Sequence, residues 1–400
     1  MTQILIAGGG IGGLATAIGL ARKGIASTVL ERSARMGEIG AGIQLGPNAF
    51  HAFDYLGVGE AARAIAVYID SLRLMDAIGG QEITRIPLDD AFRAHFGNPY
   101  AVIHRGDLHG IFLKACQDHP LVTLRTSAEV TGYEQDGGSV TAILKSGDRA
   151  VGDLLVGADG LWSAIRKQVV GDGAPRVSGH TTYRSVIPTE DMPEDLRWNA
   201  ATLWAGPKCH IVHYPLKGWK QFNLVVTYHN DAPSPENGVP VSHDEVRKGF
   251  EHVAPVARQI IDRGQDWKRW VLCDREPVTK WIDGRVVLLG DAAHPMLQYF
   301  AQGACMAMED AVALSAMLDQ YADHDQALAA YQSLRNLRTA RVQLQSREIG
   351  QHVYHSAGAH AELRNAVMRA KSPADWYEAV GWLYGSTGLE GAVSPQWRAG

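Results

Sequence analysis

The sequence predicts an α/β protein with three parts: a parallel β-sheet with flanking helices, an inserted and mostly antiparallel β-sheet, and a helical C-terminal part. The chain begins with a strand, a glycine-rich turn, a helix and a second strand, which is the pattern of a parallel sheet. Its middle part is rich in β-branched and aromatic residues interrupted by turns. Helical spacing then runs from about Met306 to Arg369.

Size and charge narrow the possible functions. With 400 residues, of which 46% are hydrophobic, the chain is long enough for two domains with separate cores. The formal net charge is −5, and no run of Lys and Arg exceeds two residues. We therefore expect neither nucleic acid nor a membrane surface as a partner, because both attract clusters of basic residues. The expected partners are small molecules.

The N-terminus and the cysteines indicate a cellular compartment. Only about four apolar residues precede the first glycine, which is too short for a signal sequence. No run reaches the ~18 apolar residues of a membrane-spanning helix. The four cysteines are scattered, without a C-x-x-C pair for a metal or a redox disulfide. The sequence therefore predicts a cytoplasmic protein with reduced thiols.

The first strand is the apolar run "QILIAG", and it is followed by a glycine motif. Gly8, Gly10 and Gly13 match G-x-G-x-x-G, and Glu31 ends the second strand, 18 residues beyond Gly13. Glycines let the backbone approach a pyrophosphate, a helix N-terminus supplies N–H donors, and an acidic residue accepts from ribose hydroxyls. The motif therefore predicts a dinucleotide site. The alternative is a glycine-rich turn that binds nothing.

Two later strands end in an aspartate beside a glycine. They are "DLLVGADG", which places Asp159 at its end, and "GRVVLLGD", which places Asp291 there. Both aspartates are candidate ligand-binding residues. The alternative is that each one only caps a helix, because an aspartate before a helix satisfies the free N–H groups of the first turn.

The inserted sheet offers a candidate base. Side chains alternate along "CHIVHYPL", so His210, Val212 and Tyr214 share one face, and His213 lies on the other. A histidine can take the proton of a substrate hydroxyl. The alternative is that His210 is a hydrogen-bonded core residue and His213 a surface residue. The H-x-x-H pattern does not predict a metal site, because residues three apart on a strand point in opposite directions.

Four segments in this order resemble one known family. They are the N-terminal glycine motif, "HRGDLHGIFLKAC", "GADGLWSAIRKQV" and "LLGDAAHP". Together they are similar to the single-component FAD-dependent aromatic hydroxylases, and the resemblance extends from Gln3 to about Arg341. It implies a Rossmann-like FAD-binding domain, non-covalent FAD, NADH as co-substrate, and transfer of one oxygen atom from O₂ to an aromatic ring.

The resemblance also implies a division into domains. The FAD-binding domain would comprise residues 1–70, 100–178 and 275–345. The substrate domain would comprise residues 71–99 and 179–274, and residues 346–400 would form a C-terminal helical segment.

The resemblance implies roles for the cofactor-binding residues. Arg105 would meet the pyrophosphate, Asp159 the region of the FAD phosphates and nicotinamide, and Asp291 the ribityl chain. Gly303 and Ala304, at the start of a helix, would direct N–H groups at the flavin pyrimidine edge, where they favour the anionic reduced flavin. The residues implied for the ADP half are Gly8, Gly10, Ile11, Gly12, Gly13, Glu31 and Arg32.

Within this family, the segments "PKCHIVHYPL" and "EIGAGIQLGPNAFHAFDYLGVGEAA" look most like those of members that convert 3-hydroxybenzoate to 2,5-dihydroxybenzoate. This match implies that His210 is the base or acceptor for the phenol oxygen, that Gln298 is its hydrogen-bonding companion, and that Tyr214 positions the substrate. Salicylate hydroxylases and many relatives have proline in place of Gln298. Of these two residues, only glutamine has a side-chain NH₂ group that can donate a hydrogen bond to a phenolate. The alternative is that Gln298 bonds its own loop.

Other functions stay open on the sequence alone. Salicylate 1-hydroxylase and 6-hydroxynicotinate 3-monooxygenase are alternatives of the same class, although Gln298 disfavours the former. A flavin-dependent reductase would need a second glycine fingerprint or a disulfide pair, and a non-catalytic dinucleotide sensor leaves His210 and Gln298 without a purpose. The sequence is also compatible with a homodimer.

Overall fold

The computed structural model describes residues 2–37 and 41–385. The part of "EIGAGIQLGPNAF" that covers residues 38–40 lies outside the described residues, as does the end of the predicted C-terminal segment, residues 386–400.

The described residues form twenty strands and twelve α-helices. The strands are β1 (Gln3–Ala7), β2 (Ala26–Leu30), β3 (Gly42–Leu45), β4 (Val67–Tyr68), β5 (Ser71–Asp76), β6 (Glu82–Pro87), β7 (Ala101–His104), β8 (Val122–Arg125), β9 (Val130–Gln135), β10 (Val140–Leu144), β11 (Arg149–Gly152), β12 (Leu154–Gly157), β13 (Arg176–Pro188), β14 (Ala200–Gly206), β15 (Cys209–Leu216), β16 (Gln221–His229), β17 (Asn237–Pro240), β18 (Lys268–Asp274), β19 (Ile282–Asp283) and β20 (Val286–Leu288). The helices are α1 (Ile11–Arg22), α2 (Pro47–Tyr55), α3 (Gly59–Ile65), α4 (Asp90–Phe96), α5 (Arg105–Gln117), α6 (Ala164–Val169), α7 (His243–Arg247), α8 (Pro255–Arg263), α9 (Gly303–Gln320), α10 (His324–Ile349), α11 (Gly358–Arg369) and α12 (Pro373–Tyr384).

The first layer is a six-stranded sheet in the order β19-β20-β12-β1-β2-β8. The pairs from β20 to β8 are parallel, and only the short β19 runs antiparallel. The central strands are buried on both faces, and helices such as α1 and α6 pack on them. Strands of this kind are continuous apolar runs, as "ILIA" and "LLVG" are.

The second layer is an eight-stranded sheet in the order β17-β18-β13-β16-β15-β14-β5-β6. All of its pairs are antiparallel except β14 with β5. Strand β15 is buried along its whole length. Of two smaller sheets, β11-β10-β9 lies against the parallel sheet and β3-β7-β4 lies against β15 of the eight-stranded sheet.

The two faces of the eight-stranded sheet have different neighbours. Val212, Tyr214 and Val225 pack into the large core that also contains the parallel sheet. Cys209 and Ile211 pack on the opposite side into a separate core with α7 and α8. The alternation predicted along β15 therefore decides which side chains face the nucleotide-binding part of the molecule.

The C-terminal helices pack on the body of the same chain. Tyr377 and Tyr384 of α12 contact Phe92 and Phe96 of α4 edge to face. In the described part of the chain, no helix combines the length and the apolar character needed to cross a bilayer.

Candidate active site

Three predicted residues lie at one edge of the parallel sheet. Gly8 follows β1, Asp159 follows β12 and Asp291 follows β20, and these three strands are neighbours. The carboxyl ends of parallel strands meet at the same edge, which is where open α/β sheets bind ligands. The order of the strands in the sheet therefore brings together three residues that are far apart in the sequence.

The turn between β1 and α1 tolerates only glycine at two positions. Gly8 has φ +109°, and a Cβ there would lie 2.3 Å from the carbonyl oxygen of Ala158. A Cβ on Gly13 would lie 2.0 Å from the carbonyl oxygen of Gly8. Gly10 is the N-cap of α1, and no side chain caps the helix there. The turn thus leaves the first N–H groups of α1 available to an anion.

The other predicted residues of this turn are placed as follows. Ile11 begins α1 and is buried, and Gly12 packs against Leu289. The Glu31 carboxylate accepts hydrogen bonds from the N–H groups of Gly9 (2.7 Å) and Ser33 (2.8 Å). Arg32 is exposed beside it.

His109 of α5 was not predicted from the sequence. It is buried, and its Nε2 donates a 2.8 Å hydrogen bond to the carbonyl oxygen of Gly9. A helix 100 residues along the chain therefore fixes the glycine turn. Arg105 begins the same helix, and its backbone N–H donates to Ala41 in the segment before β3.

Asp159 caps a helix in this structure. Its carboxylate accepts from the hydroxyl of Ser163 at 2.5 Å and from the N–H groups of Ala164 and Ile165 at 2.8 and 3.2 Å. Burial raises the pKa of Asp159, and these hydrogen bonds oppose the rise. The capping alternative describes the contacts observed, so a direct role in cofactor binding stays a proposal.

Asp291 has different surroundings from Asp159. It is exposed, and one carboxylate oxygen lies 3.9 Å from the position that a Cβ on Gly303 would take. Helix α9 begins at Gly303, and its N-cap residue, Gln302, makes no side-chain capping bond. Ala304 is half-buried at the same end. A carboxylate and uncapped N–H groups therefore face the same space, which suits a ligand with both hydroxyl and carbonyl groups.

A buried ionic cluster holds this turn against α9. Asp310 accepts from the N–H of Gly290 (3.0 Å), from His294 (2.5 Å) and from Arg335 (2.7 Å). Burial alone would raise the pKa of Asp310, but the charges of His294 and Arg335 lower it to about 2. Glu309 pairs with Arg335 and Arg338.

These residues were not predicted from the sequence. The available signal was the pair Glu309-Asp310 inside an apolar helix, which requires buried cationic partners.

Arg166 supports the same turn from the other side. It is fully buried and donates to the carbonyl oxygens of Ala292 (3.0 Å) and Ala293 (2.5 Å). Asp172 neutralises its charge at 2.7 Å. Arg166 therefore positions the backbone next to Asp291.

The eight-stranded sheet presents a polar wall to the nucleotide-binding part. Cross-strand pairing places His210 opposite Thr227, and Thr227 opposite Thr182. One rung along, Val212 lies opposite Val225, and Val225 opposite Arg184. Directly paired side chains project from the same face, so the predicted base shares a wall with two threonines and an arginine.

Gln298 lies over this wall. Its Nε2 donates to the hydroxyls of Thr182 (3.2 Å) and Thr227 (3.1 Å), and its Oε1 accepts from Arg184 (2.9 Å). The amide therefore bonds the sheet rather than its own loop, contrary to the alternative. In the described residues its partners do not include His210, which is one strand further along the wall.

His210 is almost completely buried, with 1% of its surface exposed. Its Nδ1 lies 2.8 Å from Nε2 of His355, a residue that follows α10 and was not predicted. Burial, together with His355 and His180, holds the pKa of His210 well below its usual value. His210 is therefore neutral at pH 7, and one of its ring nitrogens is a hydrogen-bond acceptor.

Tyr214 lies where the eight-stranded sheet meets the small sheet β3-β7-β4. Its ring is in contact with Gly42 of β3, since a Cβ on Gly42 would come within 2.4 Å of it. Burial raises the pKa of Tyr214 well above its usual value, so its hydroxyl is a donor at neutral pH.

His213, on the opposite face of β15, was expected on the surface under one alternative. That expectation is wrong, because His213 is completely buried beside Trp198 and Phe222.

Comparison with known proteins identifies the family. A family model described as an FAD binding domain matches residues 1–346. The chain belongs to this FAD-binding family. Two relatives are 3-hydroxybenzoate 6-hydroxylase 1 of Aquipseudomonas alcaligenes, 56% identical over 97% of this chain and 98% of its own, and 3-hydroxybenzoate 6-hydroxylase of Polaromonas naphthalenivorans, 51% identical over 96% and 95%.

A similar solved structure is that of Klebsiella pneumoniae HpxO complexed with FAD and uric acid. It superposes with a TM-score of 0.83 at 26% identity, over 97% of each chain. These matches confirm the predicted family, the α/β fold class, the FAD cofactor and the enzymatic nature of the protein.

The residues observed at the sheet edge suit FAD. The glycine turn leaves N–H groups at the start of α1 without a blocking side chain, and the start of α9 is uncapped. Both are positions at which a dinucleotide phosphate or a flavin carbonyl finds hydrogen-bond donors.

Proposed function

We propose that this FAD-dependent enzyme is a monooxygenase that uses NADH and O₂ to hydroxylate 3-hydroxybenzoate para to its hydroxyl group, giving 2,5-dihydroxybenzoate (gentisate). The observation that carries the proposal is the neutral, buried His210 on a wall that faces the FAD-binding part. Relatives at 56% and 51% identity with this activity in their names support the choice of substrate.

The residues of the wall match the needs of such a substrate. His210 takes the proton of the phenol, because a phenolate is more electron-rich at its para carbon than the phenol. Arg184 brings a positive charge to the same wall, and the Tyr214 hydroxyl is a hydrogen-bond donor, so both suit a carboxylate. Bound FAD supplies the redox chemistry, which takes electrons from NADH and activates O₂.

Gln298 acts on this wall through its neighbours. It fixes the hydroxyls of Thr182 and Thr227 and the guanidinium of Arg184, which surround the proposed phenol position. A proline at position 298 would lose all three bonds. Gln298 therefore supports a site for a phenol group next to His210.

The proposed holders of FAD are the predicted cofactor-binding residues. The N–H groups of Gly303 and Ala304 would meet the flavin, and Asp291 would meet the ribityl hydroxyls. The turn from Gly8 to Gly13, with Glu31 and Arg32, would hold the ADP part, and Arg105 would meet the pyrophosphate.

The proposal includes a homodimer in the cytoplasm. Apolar side chains on α10 and α11 support a second copy as a partner, since Leu337 is 79% exposed and Leu363 is 67% exposed. Sedimentation velocity on the purified protein distinguishes a dimer from a monomer.

A substrate screen tests the proposed reaction. NADH oxidation, oxygen uptake and product identity are measured with 3-hydroxybenzoate, salicylate, 4-hydroxybenzoate and 6-hydroxynicotinate. We expect 3-hydroxybenzoate to stimulate NADH oxidation and to yield gentisate. Stimulation by another acid alone overturns the substrate, and NADH oxidation without any hydroxylated product favours a flavin reductase.

A further inference from the structure

Helix α9 begins with a glutamine that does not cap it. Gln302 is the N-cap residue, since its carbonyl oxygen accepts the first bond of the helix, from the N–H of Met306 at 2.8 Å. A side-chain oxygen at this position can accept from the second or third N–H group of the helix and so close the helix end. Gln302 has such an oxygen but makes no capping bond. Another contact therefore holds its amide.

Asn48 of α2 makes that contact, although it lies 254 residues away in the sequence. Its Nδ2 donates to Oε1 of Gln302 at 3.0 Å and to Oε1 of Glu309 at 2.8 Å. Asn48 and Gln302 are each 1% exposed, and Glu309 is fully buried. Hydrogen bonds are stronger in such a low-dielectric interior than in water. One buried NH₂ group therefore joins α2 to two points of α9.

The carboxylate of Glu309 sets the direction of both amides. Glu309 is paired with Arg335 and Arg338, and a carboxylate only accepts hydrogen bonds. Asn48 therefore has to present its NH₂ group to Glu309. The same NH₂ group then requires the oxygen of Gln302, not its nitrogen, as the second acceptor.

This arrangement has a cost in buried hydrogen bonds. Nε2 of Gln302 and Oδ1 of Asn48 are both buried, and neither has a hydrogen-bond partner among the described residues. A buried polar group without a partner destabilises the folded protein. A capping bond from Oε1 of Gln302 to the helix would in addition satisfy an N–H group of α9. The contact with Asn48 therefore favours an open helix end over the largest number of internal hydrogen bonds.

We propose that Asn48 is a positioning residue, which keeps the start of α9 open to bound flavin by holding the amide of Gln302. The inference rests on the proposed placement of FAD, in which the N–H groups of Gly303 and Ala304 meet the flavin. Such N–H groups, together with the positive end of the helix dipole, favour the anionic reduced flavin over the neutral oxidised flavin. Asn48 acts on the flavin only through Gln302. Its loss should therefore disfavour the reduced state of the cofactor.

The test measures the two-electron reduction potential of FAD in purified Asn48→Leu. Leucine has a similar size but no donor, so Oε1 of Gln302 is released and competes for the N–H groups of the first turn. We expect the affinity for reduced flavin, relative to oxidised flavin, to fall about tenfold, which makes the potential about 30 mV more negative. Spectroscopic titration against a reference dye measures the potential, and flavin fluorescence measures the dissociation constant of oxidised FAD.

A purely structural role of Asn48 is the alternative, because Asn48 also satisfies the buried Glu309. Two variants separate the alternatives. The double variant Asn48→Leu/Gln302→Met lacks the competing oxygen, so its potential should return most of the way to the wild-type value. Asn336→Leu removes a 2.8 Å bond from α10 to the carbonyl oxygen of Val278. This control should lower the urea midpoint and leave the potential unchanged.

The outcomes distinguish this inference from the proposed function. A wild-type potential in FAD-loaded Asn48→Leu overturns the positioning role, and so does an equally negative potential in the single and the double variant. Gentisate formation by the wild type is measured separately, and its absence overturns the proposed reaction without changing the comparison of potentials. If Asn48→Leu does not retain FAD, Asn48→Ala takes its place in the same comparison, and a wild-type potential there overturns the inference.

Discussion

At the residue scale, His210 and Gln298 act on one wall through different contacts. His210 is buried against His355, and Gln298 fixes Thr182, Thr227 and Arg184. As the proposed base, His210 would contribute to the chemical step directly, whereas the Gln298 amide, which bonds other side chains, would contribute by positioning them. Substitution of His210 and substitution of Gln298 should therefore lower the rate of hydroxylation by different amounts.

Removal of either side chain should slow hydroxylation more than it reduces FAD content. We expect His210→Ala to lower kcat for gentisate by about 10²- to 10⁴-fold, the usual contribution of a general base. Gln298→Ala should cause a smaller loss, because Thr182 and Thr227 remain. Gentisate formation measures the loss, and flavin absorbance measures the cofactor. The controls are His360→Ala and Gln117→Ala at exposed positions. Wild-type rates of gentisate formation in His210→Ala and Gln298→Ala would show that these two residues lie outside the active site.

At the scale of elements, buried ion pairs join helices α9 and α10. Arg335 of α10 and Glu309 and Asp310 of α9 are all fully buried, with N–O distances of 2.7 Å. Asp310 also binds the N–H of Gly290 in the turn before Asp291. The cluster therefore connects the C-terminal helices to the cofactor edge of the sheet.

Arg335→Met should destabilise the protein by about 3 kcal/mol or more, because it leaves carboxylates buried with fewer cationic partners. Urea denaturation monitored by circular dichroism measures the change, and FAD affinity should fall with it. Arg341→Met makes the same replacement at an exposed position of α10, and we expect less than about 1 kcal/mol there. Equal effects of the two variants would contradict a special role for the buried cluster.

At the scale of the whole molecule, buried neutral histidines make the fold sensitive to acid. Burial lowers the pKa of His213 to about 3 and holds that of His210 well below its usual value. Above about pH 6.5, both residues are neutral in the folded and the unfolded chain. As the pH falls below that value, only the unfolded chain takes up the protons, so stability is lost between about pH 6.5 and pH 3.

His213→Gln should reduce this acid sensitivity. In that window, each such histidine contributes a slope of about 1.4 kcal/mol per pH unit to the free energy of unfolding. The variant should therefore approach or exceed the wild type as the pH falls, whatever its relative stability at pH 8. Urea midpoints at several pH values measure this difference. His360→Gln, at an exposed position, should leave the slope unchanged, and an unchanged slope in His213→Gln would contradict the expectation.

Local rules explain why much of the site could be predicted. Strand alternation placed His210, Val212 and Tyr214 on one face, because successive side chains of a strand point to opposite sides. The same rule could not decide whether His213 was buried, since that depends on Trp198 and Phe222 packing beside it on the other face.

By itself, the sequence determined the parts of this protein whose geometry is set by neighbours along the chain. The glycine turn, the aspartates at the strand ends and the start of α9 at Gly303 follow from steric limits and from the meeting of parallel strand ends at one edge. Only the tertiary structure decided the partners of Gln298, His210 and Asp310. Those partners, such as His355 and Arg335, come from distant segments, and packing rather than spacing brings them within hydrogen-bond distance.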